Sequence, residues 1–391
     1  MPLSTPPLLA AAAAAVFTVG AQPAAAQVVP AGTLRLNDTG LNRCTHDFSH
    51  FDAECTGTGQ DGEFGRDVAF PAFANGHAGF SFLKVCNSGQ AAGTGSCSAQ
   101  AEVGAGLDDW GCTIDRVTGL EWEVKTRDGG LRDAGTTYTD FGDGRDTDAD
   151  AFVGAVNAQG LCGQADWRLP TTHEIQGIID FDHAYPTPSI DARFFPNTLA
   201  AHYWTSEAFV SQEAEVAWVG SFIMDPSNVN VTTDARTSRN PVRLVREFRH
   251  GKAGDNKRYT FDGDEVTDHW THLTWLRCPA GQSWDGSACI GQRQRFSFPG
   301  AFKYAQLQAT DSGKAWRMPN AKELHSIVDH TRAHPAVDTH AFPGTSSELY
   351  WTGTPYAWTA TGGWALDFDG GHVLAYYQSY SFPLRLVRDA D

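Results

Sequence analysis

The sequence predicts an α+β protein made of two tandem copies of one domain. Each copy is a short-helix region followed by a twisted antiparallel sheet with long loops. Three observations carry the prediction. The first is a long internal repeat. Trp167-Arg168-Leu169-Pro170 with Glu174 and Asp180 returns as Trp316-Arg317-Met318-Pro319 with Glu323 and Asp329. Farther on, Tyr203-Trp204-Thr205 returns as Tyr350-Trp351-Thr352, and Val242-Arg243-Leu244-Val245-Arg246 as Leu384-Arg385-Leu386-Val387-Arg388. The offset falls from 149 to 142 residues along the way, so the copies differ by loop deletions. A repeat of this length is a duplicated domain and not a solenoid unit. The second observation is a helix start in each copy. Thr171 with Glu174, and Asn320 with Glu323, are capping boxes that follow a proline. Ile175, Ile178 and Ile179, like Leu324, Ile327 and Val328, then give one apolar stripe. The third is the run of short aromatic and β-branched segments after each helix, separated by turn residues.

The elements follow in order. Residues 1–26 hold no charged side chain and run from an Ala-rich apolar core to Ala24-Ala25-Ala26. That is the pattern of a secretory leader cleaved before Gln27. Residues 27–106 are a small, Gly-rich, β-rich region outside the repeat, with strands expected at Thr33–Leu36 and Gly79–Val85. They form either a separate domain or an extension packed on the first copy. The first copy occupies 107–248, a basic linker 249–260, and the second copy 261–391. Thr118-Gly119-Leu120-Glu121-Trp122 and Leu273-Thr274-Trp275 open the copies as strands.

Export sets the reading of the eight cysteines. In an oxidising compartment they are expected to pair. Eight cysteines allow 105 connectivities. Spacing favours Cys44–Cys55, Cys86–Cys97, Cys112–Cys162 and Cys278–Cys289. No Cys-x-x-Cys spacing supports a zinc knuckle. Net charge is −17, which argues against nucleic acid as a partner. No segment after the leader is long and apolar enough to span a bilayer.

The order Thr-Gly-Leu-x-Trp, Trp-Arg-Leu-Pro-Thr with Glu174, Pro188-x-Ile190-Asp191, Phe195-Pro196, Tyr203-Trp204-Thr205-Ser206, Ala217-Trp218 and the Arg243–Arg246 segment resembles the Lcl C-terminal domain family. The second copy fits too, including Cys278-Pro279-Ala280-Gly281-Gln282 with Trp284 and Cys289. The resemblance covers roughly residues 107–390. It implies a C-type-lectin-like fold with a loop-rich binding face. It also implies a non-enzymatic adhesin that recognises a glycan or a surface protein; the adhesin that names the family binds sulfated polysaccharide. The location implied is the periplasm, surface or medium of a Gram-negative-type bacterium. Two alternatives stand beside it. The Arg-Leu-Pro-Thr-x-x-Glu segment also resembles formylglycine-generating oxidases, which use copper-binding cysteines. A purely structural envelope component is the other.

Candidate site residues divide into five groups. Tryptophans shared by the copies (Trp122 with Trp275, Trp167 with Trp316, Trp204 with Trp351, Trp218 with Trp364) are expected in the core. Unshared aromatics are the better ligand contacts: Tyr356, Trp358, Tyr376, Tyr377 and Tyr380 crowd the last loops of copy two. A packed strand pair is the competing explanation. Arg249, Lys252 and Arg258, within a basic run from Arg236, are the rival contacts for a sulfated ligand. Asp140, Asp143, Asp146, Asp148 and Asp150 offer hard oxygens at close spacing, as calcium requires, but lack the EF-hand glycine and closing glutamate. A solvated acidic loop is the alternative. No other cofactor is expected. His325, His330, His334 and His340 follow the second helix near Asp329 and Asp338, where a metal is conceivable. The first copy has Gln176, Phe181, Tyr185 and Arg193 there, and His173-Glu174 lacks the second histidine of His-Glu-x-x-His.

Overall fold

A computed structural model describes residues 36–46, 49–70, 75–183, 186–210, 215–223, 229–247 and 258–390. The leader, most of the Thr33–Leu36 segment, Tyr185, Arg249 and Lys252 lie outside these residues. The N-terminal region contains β1 (Cys44–His46), β2 (His50–Asp52), a short α1 (Arg66–Ala69) and β3 (Phe82–Cys86). The first copy follows with β4 (Trp110–Asp115), β5 (Leu120–Glu123), α2 (Ala149–Gln159), α3 (Thr172–Gly177), β6 (His202–Ala208), β7 (Val216–Ser221), β8 (Val229–Ala235) and β9 (Val245–Glu247). The second has β10 (Tyr259–Asp262), β11 (Glu265–Asp268), β12 (Leu273–Leu276), the small hairpin β13 (Ser283–Trp284) and β14 (Cys289–Ile290), and α4 (Phe298–Ser312). It ends with α5 (Ala321–Ser326), β15 (Leu349–Pro355), β16 (Gly362–Asp367), β17 (His372–Tyr377) and β18 (Val387–Asp389).

Each copy has a four-stranded sheet, ordered β3-β4-β5-β9 in the first and β10-β11-β12-β18 in the second. Each also has a three-stranded meander. The two meanders are one sheet, ordered β15-β16-β17-β8-β7-β6. The join pairs β8 with β17 antiparallel, Val231 opposite Val373. These are equivalent strands of the two copies. Like strands that pair antiparallel are related by a local two-fold, so the interface is isologous in the way of a symmetric dimer. Pairing at this seam also removes an exposed edge from each meander.

A single apolar core crosses the seam. It holds Trp122, Ile175, Ile179 and Trp218 from copy one with Trp275, Leu324, Ile327 and Trp364 from copy two. The shared tryptophans Trp122, Trp204, Trp218, Trp275, Trp351 and Trp364 are fully buried, and Trp167 and Trp316 nearly so. Both expected capping boxes form. Thr171 Oγ1 accepts from Glu174 N while Glu174 accepts from Thr171 N at 2.8 Å. Asn320 and Glu323 repeat this arrangement. All eight cysteines pair as their spacing implied.

The N-terminal region is an extension and not a free-standing domain. Its strand β3 completes the first copy's small sheet, Leu83 opposite Ile114. Leu41, Phe80 and Phe82 enter the shared core. The same region reaches the second copy: Thr354 Oγ1 donates to Asp61 Oδ2 at 2.7 Å, and Lys322 Nζ to the Asp38 carbonyl at 2.7 Å. The expected linker also shortens, because β10 begins at Tyr259. Neither the short α1 nor the longer helices α2 and α4 were among the elements expected from the sequence. Helices α2 and α4 each pack on the meander of their own copy, with Phe152 and Val156, or Phe298, Ala301 and Phe302, turned to the core.

Candidate functional site

Copy two carries its unshared aromatics at one end of its meander. The β15–β16 turn holds Tyr356 and Trp358. Gly362 sits opposite Tyr377, Gly363 opposite Tyr376, and Gln378 N donates to the Thr361 carbonyl at 2.8 Å. This register brings the turn and the Tyr376–Tyr380 segment to the same end of the sheet. The five expected contacts are not equivalent, however. Tyr356 is buried, with its ring edge-on to Trp364 at 5.2 Å, so it is core. Tyr376 is half-buried against Phe382 and Tyr380. Trp358, Tyr377 and Tyr380 remain exposed, at 43%, 65% and 51%. Tyr380 is held by a stacked contact with Phe382, and its N–H donates to the Tyr377 carbonyl at 3.0 Å. A glycine is needed beneath the cluster. A Cβ on Gly363 would stand 2.6 Å from the Phe298 ring.

The acidic loop is organised from within. Asp148 is buried and accepts from the N–H groups of Phe141, Gly142 and Asp143 and from Thr139 Oγ1. Asp140 pairs with Arg236 at 3.1 Å, and burial lifts its carboxyl to about 6. Asp143 pairs with Arg145. Asp148 and Asp150 belong to the start of α2, where acidic residues favour the positive end of a helix. Asp146 is exposed. The five closely spaced aspartates therefore divide between a loop and a helix N-terminus. Among the described residues these aspartates do not gather three carboxylates within ligand distance.

Most of the described basic run is engaged by other residues, although Arg239, hydrogen-bonded to the Thr137 carbonyl, is exposed. Arg243 is fully buried and donates to the Glu123 carbonyl and Thr198. Arg246 bridges Glu121 and Asp166. Arg258 binds Asp268 and the Ser326 carbonyl and lies over Trp270. The expected basic stripe is to that extent structural. Arg168 and Arg317 make internal ion pairs, each with two contacts to the glutamate of its own capping box.

The histidines regroup. His334 pairs with Asp369 on the surface, and His340 packs on Phe261. His325 and His330 are buried at the seam, and His173 of the first copy joins them. Each offers a ring nitrogen within 4.8 Å of the other two. Nε2 of His330 is 3.3 Å from Nε2 of His325, and His173 stacks on His325 at 4.5 Å. Burial holds the pKa of His325 and His330 well below 6.5, and that of His173 below it as well. Nothing in the sequence places His173 beside His325, 152 residues away. The second group of close ligand atoms, Cys112, Glu121 and Cys162, contains a disulfide and has no free thiol.

A second histidine cluster lies beside the core. His77 and His183 both face the buried Asp180, Nδ1 to Oδ2, at 3.2 and 2.8 Å. Burial opposes ionisation of Asp180, but the two imidazoles outweigh it and hold the carboxyl at about 2.

The structure is thus a duplicated α+β domain fused through one sheet, closed by disulfides, with an exposed aromatic cluster at one end of its second meander. Residues 111–246 and 264–388 each match the Lcl C-terminal domain, and the chain belongs to that family. No curated protein matches the chain. Among the described residues no helix is long and apolar enough to cross a membrane.

Proposed function

We propose that this protein is an exported, adhesin-like binding protein that recognises a glycan or a surface protein through the aromatic end of its second copy. The observation that carries the reading is the exposed set Trp358, Tyr377 and Tyr380. Shared aromatics are in the core, and these three are left to water. Flat rings so placed suit the apolar faces of sugars, and grouped exposed aromatics mark interaction surfaces. The family match supports the adhesin-like class. A C-type-lectin-like fold is part of the same proposal, since it would put the variable loops on the binding face. Four disulfides support an oxidising compartment, namely the periplasm, cell surface or medium of a Gram-negative-type bacterium. The oxidase alternative needs free thiols, and each of the eight cysteines is in a disulfide.

The test is a glycan array probed with the secreted protein, with and without calcium. Joint replacement of Trp358, Tyr377 and Tyr380 by alanine should cut binding about tenfold or more with little change in melting temperature. Normal binding by that variant, with loss in Arg249→Ala/Lys252→Ala/Arg258→Ala and steep weakening by salt, would move the site to the basic linker.

A further inference from the structure

The local two-fold that joins the copies creates two equivalent niches between α3 and α5. Sequence offset assigns their residues: His173 answers to Lys322, Gln176 to His325, and Phe181 to His330. The contacts agree with the assignment. His173 Nε2 hydrogen-bonds the carbonyl of His325, near the end of α5, at 3.0 Å. Lys322 Nζ hydrogen-bonds the carbonyl of Gly177, at the end of α3, at 3.0 Å. His330 packs on Trp218 at 4.3 Å, and Phe181 packs on Trp364 at 5.3 Å. One niche thus holds a lysine amine against two carbonyl oxygens and the rings of Phe80 and Phe181. The other holds three histidines and, among the described residues, no lysine.

We propose that His173, His325 and His330 form a binding site for a divalent first-row transition metal, zinc in the first instance, which bridges the two copies. Spacing is the first argument. Two nitrogens bound to one tetrahedral ion at about 2.0–2.1 Å stand about 3.3–3.4 Å apart. The Nε2 atoms of His325 and His330 are already 3.3 Å apart. The second is protonation. Nε2–H of His173 is held by a backbone carbonyl, which fixes the tautomer and leaves the Nδ1 lone pair for a ligand bond. Nδ1 of His325 and of His330 is buried without a hydrogen-bond partner, so both rings direct their one polar contact to each other through Nε2. Burial favours the neutral ring, the form that binds metal. The third is the counterpart niche, where the same backbone accommodates a group able to carry positive charge. Imidazole ligands suit zinc, copper and nickel rather than calcium or magnesium. The site is separate from the aromatic end and does not depend on the ligand proposed for it.

The experiment uses the full mature protein with its disulfides intact. It is stripped with a chelator, then titrated with zinc chloride by calorimetry and with cobalt chloride by visible absorption. The expected result is a single saturable zinc equivalent, a higher melting temperature with zinc, and the intense visible bands of low-coordinate cobalt. His325→Gln and His330→Phe borrow the residues that the first copy uses on the same backbone, and His173→Lys borrows from the second. Each should weaken zinc binding by about 100-fold or more. His334→Ala, on the surface, should leave it unchanged. Absence of a saturable equivalent in the wild type, or unchanged affinity in all three niche variants, would overturn the site and leave the rings as core packing. Should the variants fail to fold, the wild-type cobalt spectrum decides. Weak octahedral bands would mean surface binding only and would equally overturn it.

Discussion

The two niches at the seam differ at three equivalent positions, whereas the tryptophans beside them are the same. Trp218 and Trp364 are each fully buried at matching places. His173, His325 and His330 face Lys322, Gln176 and Phe181 across the same axis. Apolar volume is thus kept by packing in both copies, while polar chemistry has diverged where the copies touch. A close-packed core tolerates little loss of volume. A buried polar group needs only a partner, and different sets of partners serve.

The largest effect should come from the shared volume. Trp218→Ala and Trp364→Ala are each expected to cost roughly 3–5 kcal/mol, read by urea denaturation. Similar values would sharpen the comparison. A negligible cost in one copy would break it. Trp358→Ala, at the exposed aromatic end, should fall within about 0.5 kcal/mol of wild type.

The disulfides test the opposite side, features that the copies do not share. Cys112–Cys162 closes 50 residues of copy one, and Cys278–Cys289 closes 11 of copy two. Chain entropy gives about 4 kcal/mol for the first loop and about 3 kcal/mol for the second. Double alanine replacement of each pair, followed by denaturant unfolding, should show the first to be the costlier. The reverse order would mean that strain or local packing outweighs loop length.

The repeat, both capping boxes, the β3 segment, the buried tryptophans and the four pairings of cysteine were legible because each is local or recurs at a fixed offset. Helices α2 and α4 also left signals. Phe298, Ala301, Phe302 and Ala305 have helical spacing behind Pro299, and Gly160 ends α2 in the left-handed region. The seam left no local signal. Pairing of β8 with β17 and the arrival of His173 beside His325 are contacts between distant segments, which no periodicity encodes. Exposure of Tyr377 against burial of Tyr356 was equally invisible, because it depends on which side of the meander each residue faces.

The histidines predict opposite pH responses from two parts of one interior. His77 and His183 are raised above 6.5 by their hydrogen bonds to Asp180. Their stabilisation is complete below about 6.5 and is lost as pH rises through their folded values. His325 and His330 are lowered, chiefly by burial. Their contribution is complete above about 6.5 and is lost as pH falls through their folded values. In chelator-treated protein, His183→Asn should therefore lower the melting temperature more at pH 6 than at pH 8. His330→Phe should narrow the difference in melting temperature between pH 7.5 and pH 5. The same pH dependence in both variants would show that the two clusters are not electrostatically distinct.

The smallest loss expected at a position shared by the copies is also the strictest test of equivalence. Thr171 and Asn320 occupy the same N-cap position, and each accepts from the N–H three residues on. Their glutamates return the bond at 2.8 Å in both copies. The surroundings differ. Asn320 borders a small cavity shared with Asp61 and Phe64 of the N-terminal extension, and Arg317 lies beneath the Phe64 ring. Arg168, its counterpart, is more open to solvent. An N-cap side chain acts through one local hydrogen bond, so Thr171→Ala and Asn320→Ala should each cost about 1 kcal/mol. Equal losses would mean that the cap works alone in both copies. A distinctly larger loss for Asn320 would mean that the extension has made the second cap part of its own docking, and that the copies are no longer equivalent even where their hydrogen bonds match.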